Sequence, residues 1–393
     1  MAGALENIKV LDLSRVLAGP YCTMIMGDLG AEILKVEAPG GSDETRKWGP
    51  PFQHDVSAYY LSANRNKKAI TVDLKSDEGI DIIKKLVQES DVIISNFKTG
   101  TMDSFGLGYD DLALLNPRIV YCSITGFGET GPERNLPGYD FIIQAMSGLM
   151  STTGTKESGP QKSGVAIVDI LTGLYACIGI QAALLERVQS GKGQKLDISL
   201  YDSAVSALVN IGSNYLMAEK VPATLGNMHA NIVPYQTFQT LDGEMVIAVG
   251  NDNQYKALCH VLGKPEYATD ERFQTNPNRV EHRDILVPLL QEIFLTQETK
   301  YWQEKCRNNN IPSGPIQSLE EVVNDKQLQS RDMFITQNHP TAGKIKLIGS
   351  PLKLSRTPVQ MKYHPPNPGE HNEEIMNRLG IIQTTTKKGE NIL

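Results

Sequence analysis

The stretch "IKVLDLSRVLAGPYC", residues 8–22, decides how the rest of the chain is read. Ile8, Val10, Leu11 and Leu13 form a short apolar run with β-branched members, and Gly19-Pro20 then marks the start of a helix, so a strand gives way to a helix across "SRVL". The same exchange recurs downstream. "AEILKVE" (31–37), "AITVDL" (69–74), "DVIISN" (91–96) and "IVYCSI" (119–124) are further strand candidates. Between two of them, "SDEGIDIIKKLVQES" places Ile80, Ile83, Leu86 and Val87 at helical spacing behind a Ser76 cap. Short strands alternating with helices predict an α/β fold with a mainly parallel sheet. In such open sheets ligands sit outside the carboxyl ends of the strands, so the loops that follow each strand are where function is sought.

Working outward, a long helix is expected after Asp169, ending at "SGKG" with Gly191 in the left-handed C-terminal position. Beyond "QKLDISLYDSAVSALVNIGSNYLMAEK" (194–220) the texture changes. "YQTFQTLDGEMVIAVG" reads as a strand pair turned at Asp242-Gly243, and "ILVPLLQEIFL" and "TKYWQEKC" read as helices. This gives a large domain over 1–225, a smaller α+β domain over 226–330, and a segment 331–393 that returns to the large domain through "GKIKLIGSPLKLS" and the helix "HNEEIMNRLG". The end, "TTTKKGENIL", is expected to fray.

Composition narrows the function. A formal charge of -7 gives no reason to expect nucleic acid or an anionic membrane, so an anionic ligand must be held by local cations or backbone N–H groups. No apolar run reads as a membrane span, and the first strand begins too near Met1 to leave room for a signal segment, so a cytoplasmic location is expected. Cys22, Cys122, Cys177, Cys259 and Cys306 are scattered without a C-x-x-C pair or a His at ligand spacing; they read as reduced packing residues, and no metal site is expected.

Several motifs admit two readings. "GFGETG" (126–131) fits G-x-G-x-x-G behind a strand, but Pro132 and Pro137 make the next residues a loop. It is read instead as a glycine-rich loop that approaches a neighbour or a ligand. In "SRVLAGPYC" the free N–H groups of a helix start and Arg15 suit an anion; a plain strand-to-helix turn fits the spacing equally. "DLKS" and "NFKTG" bring Lys75, Asn96, Phe97 and Lys98 towards one sheet edge, where a lysine, an amide and an aromatic suit a phosphate-bearing adenine nucleotide; solvated loop lysines are the alternative. In "GVAIVDILTGLYA" (164–176) Asp169 stands alone among apolar residues, as a helix N-cap or as a nucleophile.

Taken in order, "LDLSRVLAGPYCTMIMGDLGAEILKVEAPGGSDETRKWGPPF", "NRNKKAITVDLKS", "SNFKTGTMDSFGLGYDDL", "YCSITGFGETGP", "GVAIVDILTGLYA" and "HANIVPYQTF" resemble the class III CoA-transferases over essentially the whole chain. Within that family the likeness is strongest to members using succinyl-CoA and glutarate, through "TRKWGPPF", "NRNKK", "YCSITGFGETGP" and "HANIVPYQTF". The resemblance implies a Rossmann-like large domain, a smaller α+β domain and an interlocked homodimer. It makes Asp169 the nucleophile that takes the acyl group of an acyl-CoA as an anhydride and then CoA as an aspartyl thioester. CoA, acyl-CoA and small carboxylic acids are substrates, and no cofactor is implied. An ordinary aspartate, with a pKa of about 3.9, is ionised at neutral pH, so no general base is expected.

The same resemblance places Val16, Ala18, Val72, Lys75, Asn96 and Phe97 against CoA, and Tyr139 beside the reacting acyl group. Ala38, Ser104 and Pro137 stand where the oxalate-specific members carry basic residues, so Lys98 or Arg65 is expected to meet the phosphates instead. "GNDNQ" (250–254) replaces the glycine-rich loop of those members. For the second carboxylate of a dicarboxylate, Arg46 is the candidate, with Trp48 and Tyr59 or Tyr60 nearby; a surface arginine is the alternative. Two rivals stand. An α-methylacyl-CoA racemase needs a second acid/base where this chain has Tyr139, whose phenol, with a pKa of about 10, is a poor proton exchanger. A non-catalytic CoA-binding protein would exchange nothing.

Overall fold

The computed structural model describes residues 2–381. Its centre is a six-stranded parallel sheet of β1 (Lys9–Asp12), β2 (Glu32–Glu37), β3 (Lys67–Thr71), β4 (Val92–Ser95), β5 (Val120–Thr125) and β6 (Lys195–Ser199). The strands lie in the order β6-β5-β4-β1-β2-β3, with every pair parallel. The chain runs outward from β1 to one edge and then, from β4, to the other. The strand order therefore reverses between β1 and β4, and a crevice opens there above the strand ends. The fold is α/β with a Rossmann-like sheet.

The five strand candidates of the sequence are all present, shifted by at most three residues at their ends. β6 is not among them. It is an edge strand whose "KLDIS" alternates exposed and half-buried residues, so it lacks the continuous apolar run of its buried neighbours. Those neighbours divide their side chains between two faces with a period of two. Val10, Ile33, Val92, Ile94 and Cys122 face one core with α1 (Ala18–Asp28) and α4 (Ile167–Ser190). Leu11, Leu34, Ile70, Ile93 and Tyr121 face the other with α2 (Asp77–Gln88) and α5 (Asn372–Arg378). The short helix α3 (Asp140–Met146) stands between β5 and α4.

Local signals hold where side chains enforce them. Ser76 caps α2, its hydroxyl accepting the Gly79 N–H at 3.0 Å. α4 ends with Gly191 at φ 72, its N–H donating to the Arg187 carbonyl at 2.9 Å. α4 also corrects one expectation, since it is long and apolar enough to cross a membrane by length and composition. In this fold it is a packing helix. A Cβ at Gly173 would meet the Ala18 carbonyl at 2.6 Å, so α1 and α4 touch backbone to backbone, and Arg187 pairs with Asp91 at 2.7 Å.

The chain forms two compact units. The first takes residues up to 149, then 163–208, and the chain from 329; the second takes 150–162 and 209–328. The chain thus leaves the first unit at 208, earlier than the change of texture near 225, because the helix Val209–Ala218 buries none of its residues and groups with the second unit. The second unit holds an antiparallel sheet of Tyr235–Gln239, Glu244–Ala248 and Ser313–Pro315 around a core of Phe238, Met245, Leu290, Phe294 and Trp302. Its hairpin turns at Asp242-Gly243, with the Thr240 N–H donating to the Gly243 carbonyl at 2.8 Å. "GNDNQ" supplies Asn251, which caps the following helix Asp252–Val261. All five cysteines are free and buried. The segment 382–393, with "TTTKKGENIL", lies outside the described residues.

Candidate active site

A cavity of about 180 Å³ opens where the strand order reverses. Its walls come from the loops after β1 (Arg15, Val16 and Leu17, with Ala18 at the start of α1), after β4 (Asn96, Phe97, Lys98 and Thr99) and after β5 (Gly126 and Arg134 to Tyr139), with Asp169 of α4. The sequence expected seven of these around the reaction: Arg15, Val16, Ala18, Asn96, Phe97, Lys98 and Tyr139. The fold brings all seven into one cavity with Asp169.

The β1 and β4 loops are fastened to each other. The Arg15 N–H donates to Asn96 Oδ1 at 2.9 Å, and Asn96 Nδ2 returns a bond to the Arg15 carbonyl at 2.7 Å. The Arg15 guanidinium lies 5.5 Å from the Phe97 ring centroid and pairs with Glu44 at 3.1 Å. Lys98 and Arg134, on neighbouring loops joined by a Thr99 hydroxyl bond to the Arg134 carbonyl at 2.9 Å, carry no ion pair among the described residues. Two cations without carboxylate partners face one cavity of an acidic chain, an arrangement suited to an anion.

Asp169 does not cap its helix. α4 begins at Ile167, which puts Asp169 in the first turn, and the capping is done from outside: Asp140 Oδ1 accepts the Val168 N–H at 2.8 Å. The other Asp140 oxygen takes Gln144 Nε2 at 2.7 Å, and Gln144 Oε1 takes the Ser163 N–H at 2.9 Å, so a buried amide fixes the approach to α4. The Asp169 carboxyl has no hydrogen-bond or ion-pair partner among the described residues. Burial, and then the nearby Asp140 charge, push its pKa up to about 7. The ordinary value expected from sequence is therefore corrected: at neutral pH this carboxyl divides between its two forms. Burial and the charges of Asp169 and Asp140 in turn push the Tyr59 phenol up to about 12. Tyr59 packs edge-on against Trp48, with centroids 5.3 Å apart.

Other expected residues stand elsewhere. Val72 is buried in the core beyond β3, and Lys75 is exposed in the turn before α2; neither lines the Asp169 cavity. Arg65 is corrected as a phosphate partner, because its guanidinium is buried and closed by Asp28 at 2.6 and 2.9 Å and by the Ile348 carbonyl at 2.9 Å. Arg46 is likewise engaged. Nε meets Glu37 at 3.0 Å, Nη2 meets Glu37 and the Tyr60 hydroxyl, and Nη1 meets the Pro366 carbonyl at 3.2 Å. It lines a second cavity with His54, Ser57 and Asn367, not the one that holds Asp169. A buried glutamate already supplies the carboxylate that a bound acid was expected to bring.

Two features lay outside the sequence expectations, and a third met one of them. Asp140 follows Tyr139 with no motif of its own to mark it, Arg134 lies in a proline-rich loop, and Gly126 and Gly138 touch face to face. A Cβ on Gly126 would come within 2.6 Å of the Gly138 Cα. Gly126 thus fits the expectation that "GFGETG" approaches a neighbour, and the first helix after that loop is α3 at Asp140.

The comparisons agree with this geometry. The sequence pattern of CoA-transferase family III matches residues 5–372. The chain is similar to the succinyl-CoA:glutarate CoA-transferase of Mus musculus, 43% identical over 375 residues that cover 95% of this chain and 86% of that one. It is also similar to the succinate–glutarate CoA-transferase of Agrobacterium fabrum, 42% identical over 392 residues and 97% of each chain. Among solved structures, a CAIB/BAIF family protein from Brucella suis superposes with a TM-score of 0.85 at 42% identity, over 96% of this chain and 100% of that one. A family pattern spanning nearly the whole length, with relatives more than 40% identical over almost all of the chain, leads to one conclusion: the chain belongs to CoA-transferase family III.

Proposed function

We propose that this enzyme moves CoA from succinyl-CoA to a dicarboxylic acid of glutarate type, with Asp169 as the covalent carrier. The observation that carries the proposal is the Asp169 carboxyl itself, without a partner among the described residues and set in the same cavity as Lys98 and Arg134.

The ionised carboxylate attacks the thioester carbonyl and expels the CoA thiolate, leaving a mixed aspartyl anhydride. The thiolate then attacks the aspartyl carbonyl of that anhydride, releasing succinate and leaving CoA on Asp169 as a thioester. The acceptor carboxylate repeats the sequence in reverse: it displaces the thiolate to form its own anhydride, and the thiolate attacks the acceptor's acyl carbon to regenerate free Asp169. No proton enters or leaves the cycle once Asp169 is ionised. Holding the thiolate beside the anhydride removes an encounter step, and such positioning supplies roughly 7 to 11 kcal/mol in well-aligned systems. Arg15, Val16, Ala18, Asn96 and Phe97 hold the CoA moiety, Lys98 and Arg134 meet its phosphates, and Tyr139, Tyr59 and Trp48 flank the acyl and acceptor groups. The substrate specificity is supported by the names of the two relatives above. A homodimer completes the proposal, supported by the apolar residues that α4 leaves exposed.

The test is chemical. Incubation with succinyl-CoA followed by hydroxylamine or borohydride should modify Asp169, and labelling that persists in Asp169→Ala would refute the carrier. A panel of acids assayed with succinyl-CoA decides the acceptor; clear preference for a monocarboxylate would overturn the dicarboxylate.

A further inference from the structure

Val16 has φ 68, in the left-handed region. A β-branched residue reaches that region only when its surroundings hold it there, and such strain collects at ligand-binding sites. The restraint is a buried chain of charges behind the cavity wall. The Val16 N–H donates to Asp43 Oδ1 at 3.1 Å, and Asp43 Oδ2 takes Lys35 Nζ at 2.9 Å. Lys35 Nζ also donates to the Ser14 carbonyl at 2.8 Å, so the loop is gripped on both sides of Arg15. Further back, the Asp43 N–H donates to Glu37 Oε2 at 3.0 Å, and Glu37 is held by Arg46, whose guanidinium lies 3.7 Å over the Tyr60 ring. Lys35 and Asp43 are shut off from solvent. Burial alone would raise the Asp43 carboxyl, yet the Lys35 ammonium and the hydrogen bonds from Thr45, Lys35 and Val16 hold it down to about 2, so the link stays charged.

We propose that Arg46, Glu37 and Asp43 are positioning residues for acyl-CoA: a buried relay that keeps the Arg15–Val16 peptide in its left-handed bend and thereby shapes the cavity wall facing the CoA moiety. Arg46 then acts on the thioester substrate through the loop, not on the acceptor acid. This inference rests on the reading of the cavity as the acyl-CoA site.

Steady-state kinetics with both substrates varied provide the test. Arg46→Ala should raise the KM for succinyl-CoA on the order of tenfold, with the KM for the acid and kcat changed by about twofold at most. Glycine adopts φ 68 without strain. Adding Val16→Gly to Arg46→Ala should therefore bring the succinyl-CoA KM back to that of Val16→Gly alone. If Arg46→Ala does not fold, Glu37→Gln serves instead, since it keeps an acceptor for the Asp43 N–H while removing the charge, and the same pattern is expected. A rise confined to the acid's KM, or a succinyl-CoA effect that Val16→Gly leaves untouched, overturns the relay. Failure of the relay is distinct from failure of the proposed function: in the first case the unmodified protein still becomes labelled at Asp169 by succinyl-CoA, in the second it does not.

Discussion

Asp140 accepts, at 2.8 Å, the backbone N–H of Val168, one residue before the aspartate whose pKa its own charge helps to raise. One side chain therefore both orients the first turn of α4 and tunes Asp169. Asparagine at 140 keeps an oxygen for the Val168 N–H and removes the charge. In the unmodified enzyme kcat/KM should rise with pH through about 7 as Asp169 ionises. In Asp140→Asn the same rise should occur at lower pH, while Asp140→Ala, lacking the cap as well, should lose about 1 kcal/mol of stability. A pH profile unchanged in Asp140→Asn would separate the two residues.

The contact between Gly126 and Gly138 joins the β5 loop to the segment leading into α3. A methyl group at position 126 finds the Gly138 Cα at 2.6 Å, well inside contact distance, with backbone rather than a flexible side chain in the way. Gly126→Ala should cost on the order of 1–3 kcal/mol in denaturant unfolding and should lower activity by moving Tyr139. A substitution within 0.5 kcal/mol of the parent would mean that the two loops part easily.

The sheet was legible because buried parallel strands are apolar on both faces, and five such runs stand out in the first 125 residues. β6 was not, because an edge strand with one covered face resembles a loop. The cavity was legible in part because its position follows from strand ends: Arg15, Asn96, Phe97 and Lys98 fall there once β1 and β4 are located. The pairing of Arg46 with Glu37 and of Arg65 with Asp28 joins residues 9 and 37 positions apart, and spacing carries no sign of which arginines a fold will neutralise. The raised pKa of Asp169 depends on burial and on Asp140, both products of packing.

One side of α4 leaves Tyr175, Ile178, Leu185 and Val188 between 44% and 80% exposed. The proposed homodimer would cover these residues, since large exposed apolar patches are uncommon on a free surface. Sedimentation at nanomolar concentration should give a dimer. Ile178→Asp with Leu185→Asp should impair assembly, giving monomers or aggregates. A well-folded monomer of the unmodified chain would exclude the homodimer.

Lys98 and Arg134 should act on acyl-CoA by charge. Lys98→Ala and Arg134→Ala should each raise the KM for succinyl-CoA about three- to tenfold at low ionic strength, and the difference should shrink with added salt as screening shortens the reach of exposed charges. Comparing CoA with dephospho-CoA locates the contact: a variant that no longer distinguishes the two has lost the partner of the 3′-phosphate. If instead only the acid's KM rises, these cations serve the acceptor carboxylate.

Asp169 should also weaken the fold that it serves. Its folded pKa, about 7, lies above the value of about 3.9 for an unfolded aspartate. Below about pH 4 the group is protonated in both states and exacts no penalty. Between about 4 and 7 the unfolded chain has released the proton that the folded chain retains, so stability falls as pH rises and levels off above about 7. Asparagine at 169 does not ionise and should escape this loss. Asp169→Asn should therefore melt higher than the unmodified protein at pH 8, with the gap closing as pH is lowered towards 4. Equal melting temperatures across that range would place the Asp169 carboxylate in a better-solvated setting than the cavity provides.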